Sequence, residues 1–310
     1  MTRPALRLGI STCPNDTFAF HSLLTGSITL PSADLQIELM DVQELNEGLL
    51  RGDFDVAKGS FHAALHLSDR YGVLPSGAAL GFGVGPLLLA SGEGSNPATG
   101  RFAGGGEGSP QPRILCPGRW TTATLLYRLF YPQIGEMQQV LFSEIIPALQ
   151  RGDADFGVCI HEGRFTYHEY GLSCVEDLGT RWEQETGQPL PLGGILCRLD
   201  LDPTLIEEIQ AAIARSLKFS LSHPQETLGT MRRYAQEFSD EVLFSHVQLY
   251  VNRWTEELGS QGTGALRTLH QRAREAGVVP AAQPPLKFLP ESLFRSDKNR
   301  DPLTVESPSP

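Results

Sequence analysis

Residues 151–167 read RGDADFGVCIHEGRFTY, and the prediction of the fold starts from this stretch. Its opening Arg-Gly-Asp triplet predicts a helix end, because glycine adopts helix C-cap backbone angles that other residues resist. Residues 155–160 are largely apolar, which is typical of a short strand buried on both faces of a parallel sheet. His161, Glu162 and Arg164 lie where this run stops. Because ligands bind at the carboxyl ends of strands in open α/β sheets, we expect these ionisable side chains at a ligand site.

An earlier stretch repeats this pattern, since residues 51–62 read RGDFDVAKGSFH. Both copies follow an amphipathic segment and contain Arg-Gly-Asp-x-Asp, a short apolar strand and a polar cluster. In the first copy that cluster consists of Lys58, Gly59, Ser60 and His62. Two copies predict two α/β lobes with matching plans, each directing a strand end toward a shared cleft. A cell-adhesion role for the Arg-Gly-Asp triplets is disfavoured, since both lie at predicted helix-to-strand turns.

The composition of the 310 residues is that of an ordinary soluble globular protein, with 40% hydrophobic and 20% charged residues. A net charge of −11 argues against a nucleic-acid partner and against docking on anionic membranes. The five cysteines are scattered without a CxxC pair, which favours reduced thiols. The first residues lack the apolar core of a secretion signal, and no apolar run is long enough to cross a bilayer. We therefore expect a cytoplasmic protein.

The order of predicted elements divides the chain into two lobes of an α/β protein. Residues 1–91 and 199–290 are expected to form lobe I, and residues 113–198 are expected to form lobe II. Residues 92–112 are rich in Gly, Ser and Pro and predict a flexible insertion. Residues 291–310 predict a disordered tail.

Two predicted helix starts supply further candidate ligand contacts. The segment PNDT (14–17) follows a first strand and has the capping chemistry of a helix N-terminus, which makes Asn15 a candidate contact. Thr121 and Thr122 occupy the equivalent place in the second lobe. N–H groups at a helix start favour a bound carboxylate or phosphate, so the two lobes are expected to grip an anion jointly. Simple capping without a ligand is the alternative for the first segment.

Five phrases, in order and at compatible spacings over roughly residues 5–285, carry a resemblance to a known family. They are CPNDTFAF (13–20), DVAKGSFHA (55–63), PGRWTTATLL (117–126), IHEGRFTY (160–167) and LPLGGI (190–195). These phrases resemble the signatures of the 1,4-dihydroxy-6-naphthoate synthases, enzymes of the futalosine route to menaquinone. The glycine-rich insertion and the tail depart from the family pattern but touch none of these phrases.

The resemblance implies a type 2 periplasmic-binding-protein-like fold, with two α/β lobes, a hinge and a central cleft. It implies a lyase that converts cyclic dehypoxanthine futalosine to 1,4-dihydroxy-6-naphthoate with release of dihydroxyacetone. It implies no metal and no organic cofactor. The family's catalytic base falls on His161. Its substrate contacts fall on Lys58, Gly59, Ser60, Thr122 and Ala123.

The residue types suit this chemistry. Cleaving a carbon–carbon bond beside a carbonyl needs a base and donors for the developing oxyanion. His161 must be neutral to act as that base, and Ser60 and Thr122 are candidate donors through hydroxyl or backbone N–H groups. An aromatic carboxylate suits a helix N-terminus, with Arg164 or Lys58 adding positive charge. The expected partner is a small anionic molecule, and the chain is also a candidate homodimer.

Three other functions fit parts of the sequence. A solute-binding protein of the same fold would bind a ligand without changing it, but the missing export signal and the cleft histidine disfavour it. A sister enzyme such as chorismate dehydratase would share the fold and differ in substrate. A cysteine-nucleophile enzyme would use Cys13, which lies near a predicted helix start.

Overall fold

The computed structural model describes residues 3–92, 94–99, 111–160, 163–235 and 239–290. Within these residues, the strands are β1 (Ala5–Ser11), β2 (Asp34–Met40), β3 (Val56–Ser60), β4 (Tyr71–Val73), β5 (Ala79–Gly81), β6 (Leu87–Ala90), β7 (Arg113–Cys116), β8 (Glu136–Gln139), β9 (Phe156–Cys159), β10 (Ser173–Asp177) and β11 (Leu190–Arg198). The helices are α1 (Pro14–Ala19), α2 (His21–Leu24), α3 (Val42–Arg51), α4 (Phe61–His66), α5 (Thr122–Phe130), α6 (Phe142–Arg151), α7 (Gly163–Thr166), α8 (Leu178–Thr186), α9 (Pro203–Ser222), α10 (Leu228–Tyr234), α11 (Asp240–Tyr250), α12 (Arg253–Glu256) and α13 (Gly259–Glu275).

The strands form two sheets, one in each lobe. The first sheet has the order β2-β1-β3-β11-β4, with β5 paired to β11, and the second has the order β10-β6-β9-β7-β8. In each sheet three strands run parallel, β1 with β2 and β3 in the first and β7 with β8 and β9 in the second. Antiparallel strands complete both sheets. The prediction of two α/β lobes is therefore confirmed, although each sheet is mixed and not wholly parallel.

The repeated Arg-Gly-Asp segments adopt the same conformation in both lobes. Helices α3 and α6 end at Gly52 and Gly152, whose φ angles are +84° and +72°. These left-handed conformations suit glycine, as the sequence predicts. The strands that follow, β3 and β9, are buried along their whole length.

The second aspartate of each repeat fastens its strand to the neighbouring parallel strand of the same sheet, β1 in the first lobe and β7 in the second. Asp55 Oδ2 accepts a hydrogen bond from the backbone N–H of Arg7 at 2.9 Å, and the backbone N–H of Asp55 donates to the Arg7 carbonyl. Asp155 makes the same two contacts with Arg113, with its carboxylate at 2.7 Å. These aspartates set the strand register in both lobes, which explains why the repeat contains them.

The lobe boundaries differ from the prediction at two strands. Strand β6 lies within residues 1–91 yet pairs with β9 and β10 in the second sheet, and β11 lies within residues 113–198 yet pairs in the first. The chain thus crosses between the lobes after β5 and again before β11. Both strands are apolar and buried, and their residue types do not reveal which sheet they join. Residues 93 and 100–110 of the predicted insertion, and the predicted tail 291–310, lie outside the described residues.

The remaining helices pack against the two lobes. Helix α9 packs on α1 and α2 of the first lobe, and α13 contacts both α5 and β11. One apolar core continues across the lobes, since Leu88 and Phe156 of the second sheet belong to the same buried cluster as Leu80 and Leu196 of the first. None of the helices in the described part of the chain has the length and apolar character that crossing a membrane requires.

Candidate active site

A cavity lies where the two lobes meet. Its volume is about 100 Å³. Its walls come from the ends of β1, β3 and β9 and the starts of α1 and α5. Residues 84–86 and part of β11, near the two points where the chain crosses between the lobes, add to them. Seven of the nine predicted site residues line it: Asn15, Lys58, Gly59, Ser60, Thr121, Thr122 and Ala123. Most of the predicted site residues therefore lie together on one cavity wall.

Lys58 is held in a buried ion pair at the cavity wall. Its Nζ lies 2.7 Å from Asp16 Oδ1 and 3.1 Å from the carbonyl oxygen of Gly77, and the whole residue is only 5% exposed. Asp16 also accepts hydrogen bonds from Ser11 Oγ at 2.6 Å and from Asn15 Nδ2 at 2.9 Å. An ammonium group has three N–H donors, so one donor of Lys58 is left for a ligand.

The start of α1 differs from the predicted cap. Cys13 occupies the N-cap position and makes no side-chain cap hydrogen bond, while Pro14 begins the helix. Asn15 and Asp16 lie inside the first turn, both buried. Asn15 Nδ2 donates to Asp16, and Asp16 in turn pairs with Lys58, so this network takes the place of the capping role that the sequence suggests.

Ser60 is oriented by an amide from α3. Asn46 Oδ1 accepts from the Ser60 backbone N–H at 2.8 Å, and Asn46 Nδ2 donates to Ser60 Oγ at 3.0 Å. Asn46 is fully buried, between Leu45 and Leu49 on the apolar face of its helix. Because the hydroxyl oxygen accepts in this contact, its proton is left to donate to a ligand. Asn46 was not singled out from the sequence, although a buried amide on the apolar face of a helix needs a partner.

The backbone of Gly59, between Lys58 and Ser60, borders the cavity. An added Cβ at Gly59 would lie 2.7 Å from Leu49 Cδ1, which belongs to the core on the other side of the strand. A side chain here would force the Leu49 and Leu196 side chains to shift, so close packing behind the cavity wall favours glycine.

The first turn of α5 presents backbone donors to the cavity. Thr121 is the N-cap, and its Oγ1 accepts from the backbone N–H of Thr124 at 3.2 Å. The Thr122 hydroxyl donates to the carbonyl oxygen of Leu192 at 2.6 Å, so its proton is already used. Of the two candidate donors at Thr122, the backbone N–H group therefore remains for a ligand and the hydroxyl does not. The N–H groups of Thr122 and Ala123, at the first two positions of the helix, have no acceptor within it.

Arg164, predicted as a substrate contact, is not among the residues that line the cavity. Its Nη2 lies 2.6 Å from Asp177 Oδ2, and its Nη1 donates to the carbonyl oxygen of Gly85. Asp177 also caps α8 through the backbone N–H groups of Gly179 and Thr180. Arg164 thus stabilises the segment around Gly85, where the chain crosses between the lobes. Its charge is neutralised by Asp177, a partner that the sequence alone does not identify.

The predicted base, His161, and its neighbour Glu162 lie outside the described residues. Ile160, the residue immediately before His161, lines the cavity. The end of β9 therefore points into the interlobe space, as the opening stretch of the sequence predicts. The role of His161 stays a prediction.

Two aromatic side chains of α11 complete the wall. His246 and Tyr250 are one helical turn apart, both line the cavity, and their ring centroids are 4.6 Å apart. Tyr250 is 7% exposed and belongs to the apolar core while also facing the cavity. His246 was not expected at the site. Its spacing from Tyr250 on an amphipathic helix is the signal that could have identified it.

Known proteins resemble this chain over most of its length. The 1,4-dihydroxy-6-naphthoate synthase of Thermus thermophilus is 43% identical over 282 residues, covering 91% of this chain and 98% of that protein. The crystal structure of a protein from Archaeoglobus fulgidus matches with a TM-score of 0.80 and 30% identity, covering 89% of this chain and 98% of that chain.

A more distant structure defines the fold. The periplasmic aliphatic sulphonate-binding protein of Escherichia coli matches with a TM-score of 0.59 at 12% identity, covering all of this chain and 97% of that chain. This likeness concerns the fold alone and confirms the predicted periplasmic-binding-protein-like architecture. A family model described as menaquinone biosynthesis matches residues 6–275. Because that match spans most of the sequence, this chain belongs to the menaquinone biosynthesis family.

Proposed function

We propose that this protein is a 1,4-dihydroxy-6-naphthoate synthase, a carbon–carbon lyase that acts on cyclic dehypoxanthine futalosine and releases dihydroxyacetone. The observation that carries the proposal is the interlobe cavity, where the donors of Ser60, Thr122 and Ala123 converge with the end of β9. The extensive identity to the Thermus thermophilus synthase supports the choice of reaction.

The substrate's aromatic carboxylate is assigned to the start of α5. Backbone N–H groups at a helix N-terminus carry partial positive charge and point toward a bound anion. Thr122 and Ala123 supply these groups. The remaining donor of Lys58 adds a charged contact, while its ion pair with Asp16 keeps the wall close to neutral overall. A small aromatic acid is held here without a large excess of positive charge.

The Ser60 hydroxyl is assigned to the oxygen that gains negative charge when the carbon–carbon bond breaks. Donors held in place before the reaction stabilise such charge most effectively, because they need no reorganisation. Asn46 supplies that rigidity by contacting both the N–H and the hydroxyl of Ser60. The arrangement favours a developing oxyanion near β3.

Proton removal is assigned to His161. Its neutral imidazole would accept a proton from the substrate carbon beside the carbonyl, which starts the cleavage. Position 161 directly follows Ile160, which borders the cavity. Closure of the two lobes around the substrate would exclude water and align the base with the donors. As proposed, the reaction uses neither a metal nor an organic cofactor.

The decisive experiment incubates the purified protein with cyclic dehypoxanthine futalosine and follows both products by mass spectrometry. We expect 1,4-dihydroxy-6-naphthoate and dihydroxyacetone in equal amounts. His161→Ala should keep the thermal unfolding midpoint and lose turnover by at least about a hundredfold, as general-base removal does. A folded His161→Ala variant with parental turnover would show that another group removes the proton.

The same assay separates the alternatives. Recovery of unchanged ligand would indicate a solute-binding protein, and turnover of chorismate alone would indicate the sister dehydratase. Cys13 lines the cavity, so a thiol nucleophile is tested directly by Cys13→Ser. Full activity of that variant is expected, and complete loss with an intact fold would favour the cysteine mechanism.

A further inference from the structure

A pair of histidines lies behind the cavity, at the contact between the lobes. His62 and His66 are one turn apart on α4, with ring centroids 5.4 Å from each other. Both rings pack against Trp120 of the second lobe, at centroid distances of 5.9 Å and 5.0 Å. The mechanism proposed above uses neither histidine.

His62 makes polar contacts to the start of α5. Its Nδ1 lies 3.1 Å from the carbonyl oxygen of Thr121. Because a carbonyl oxygen only accepts, Nδ1 carries the proton and donates. The backbone N–H of His62 donates to Thr122 Oγ1 at 3.4 Å. The residue is completely buried, and Nε2 has no hydrogen-bond partner among the residues that the structure describes. The imidazole is therefore held as one neutral tautomer.

These contacts belong to a chain of hydrogen bonds that joins the lobes. His62 contacts Thr121 and Thr122 of the second lobe, and Thr122 in turn donates to Leu192 on β11 of the first lobe. Ser60 is the residue from which α4 begins. Ser60, the donor from the first lobe, thus lies close in sequence to His62. The His62 imidazole in turn contacts the segment that carries the second-lobe donors Thr122 and Ala123.

We propose that His62 is a positioning residue, a latch that fixes the first turn of α5 relative to Ser60. The imidazole N–H holds the Thr121 carbonyl, and this contact keeps the N–H donors of Thr122 and Ala123 directed into the cavity. The latch also favours the closed arrangement of the lobes. The inference rests on the proposed function only for the class of ligand, an aromatic carboxylate.

Three substitutions separate the latch from simple packing. His62→Asn retains an amide donor near the position of Nδ1, His62→Leu removes the donor at similar volume, and His66→Leu is the matched control on the same helix. Binding is measured by calorimetry with 2-naphthoate, a stable aromatic carboxylate. The radius of gyration without ligand is measured by small-angle X-ray scattering.

We expect His62→Leu to weaken 2-naphthoate binding about tenfold and to increase the radius of gyration, because one buried hydrogen bond between the lobes is lost. His62→Asn and His66→Leu should each stay within about threefold of the parent in affinity. If His62→Leu and His66→Leu lower the unfolding temperature alike and neither changes affinity or the radius of gyration, the histidine only fills space.

A fold failure of His62→Leu still permits the test. His62→Gln places its amide near the position of Nε2, so it should bind 2-naphthoate more weakly than His62→Asn. Equal affinities of the two amide variants would overturn the latch. Failure of the proposed reaction is distinguishable, since it appears as parental protein that binds 2-naphthoate but forms no naphthoate product.

Discussion

Lys58 Nζ lies 2.7 Å from Asp16 Oδ1, and both residues are almost wholly buried, at 5% and 3% exposure. Each charge is therefore tolerated only because the other is present. Breaking a buried pair from one side leaves a charge without a counter-charge in a medium that solvates it poorly, which is more costly than losing the pair as a whole.

Asp16→Asn should lower the free energy of unfolding by about 3–5 kcal/mol, because it leaves the Lys58 ammonium uncompensated. The double substitution Asp16→Asn with Lys58→Met should recover part of that loss. Urea titration at pH 7 measures both. The control is Asp153→Asn, which breaks an exposed pair with Arg151 and should cost less than about 1 kcal/mol. Equal losses in the buried and exposed pairs would contradict the prediction.

Asn46→Ala should reduce kcat about 10- to 100-fold, because Ser60 loses both of the contacts that orient it. Ser60→Ala should lose a similar factor while staying folded. If the two residues act as one unit, the double variant should be no slower than Ser60→Ala alone. Steady-state kinetics decide this, and multiplicative losses would show that Asn46 acts independently of Ser60.

The stability of the protein should fall in acid partly because His62 resists protonation. Its pKa is lowered from 6.5 to about 3, mainly by burial and then by like charge from His66, Arg128 and Arg119, against a smaller opposing effect of the hydrogen bond to the Thr121 carbonyl. The unfolded chain accepts this proton below about pH 6.5, whereas the folded protein accepts it only near pH 3. The contribution of neutral, buried His62 to the free energy of unfolding is therefore complete above pH 6.5. It is lost progressively as the pH falls from 6.5 to 3.

One such proton changes the free energy of unfolding by at most about 1.4 kcal/mol per pH unit. Urea titrations at pH 7, 6, 5 and 4 measure the slope, and His62→Asn should give a shallower slope than the parent. Identical slopes would show that His62 is protonated equally in the folded and unfolded chains.

His246→Phe should lower kcat/KM for the substrate about tenfold, because it removes a polar ring from the cavity wall while keeping its volume and its contact with Tyr250. The control is His270→Phe, which alters another buried histidine, on α13, that does not line the cavity. Both variants should unfold at similar temperatures. Parental kcat/KM in His246→Phe would assign this ring to packing.

The sequence predicted those parts of the site that depend on local patterns. The two Arg-Gly-Asp repeats place Ser60 and Ile160 at strand ends, because helix C-caps and buried strands leave clear signals over a few residues. Thr121 is a helix cap as predicted. The same local signals suggested capping side chains at residues 14–17, but Asn15 instead donates to Asp16, which pairs with the distant Lys58.

Long-range pairing was not visible in the sequence. Arg164 has the charge that a carboxylate-binding site needs, but Asp177 neutralises it, and only the fold brings these two residues together. His246 lies far along the chain from every motif and reaches the cavity through the packing of α11. The assignment of β6 and β11 to their sheets likewise depends on which partner each apolar strand meets.

The position of β11 in the first sheet also constrains the order in which the protein matures on the ribosome. This strand lies between β3 and β4, yet it is synthesised after every strand of the second lobe. Domains generally fold as units during translation. All strands of the second sheet have been synthesised once α8 has emerged. The first sheet still lacks β11, its strand between β3 and β4, until residue 198 has been synthesised. The lobe whose synthesis begins first is thus the last to complete its sheet.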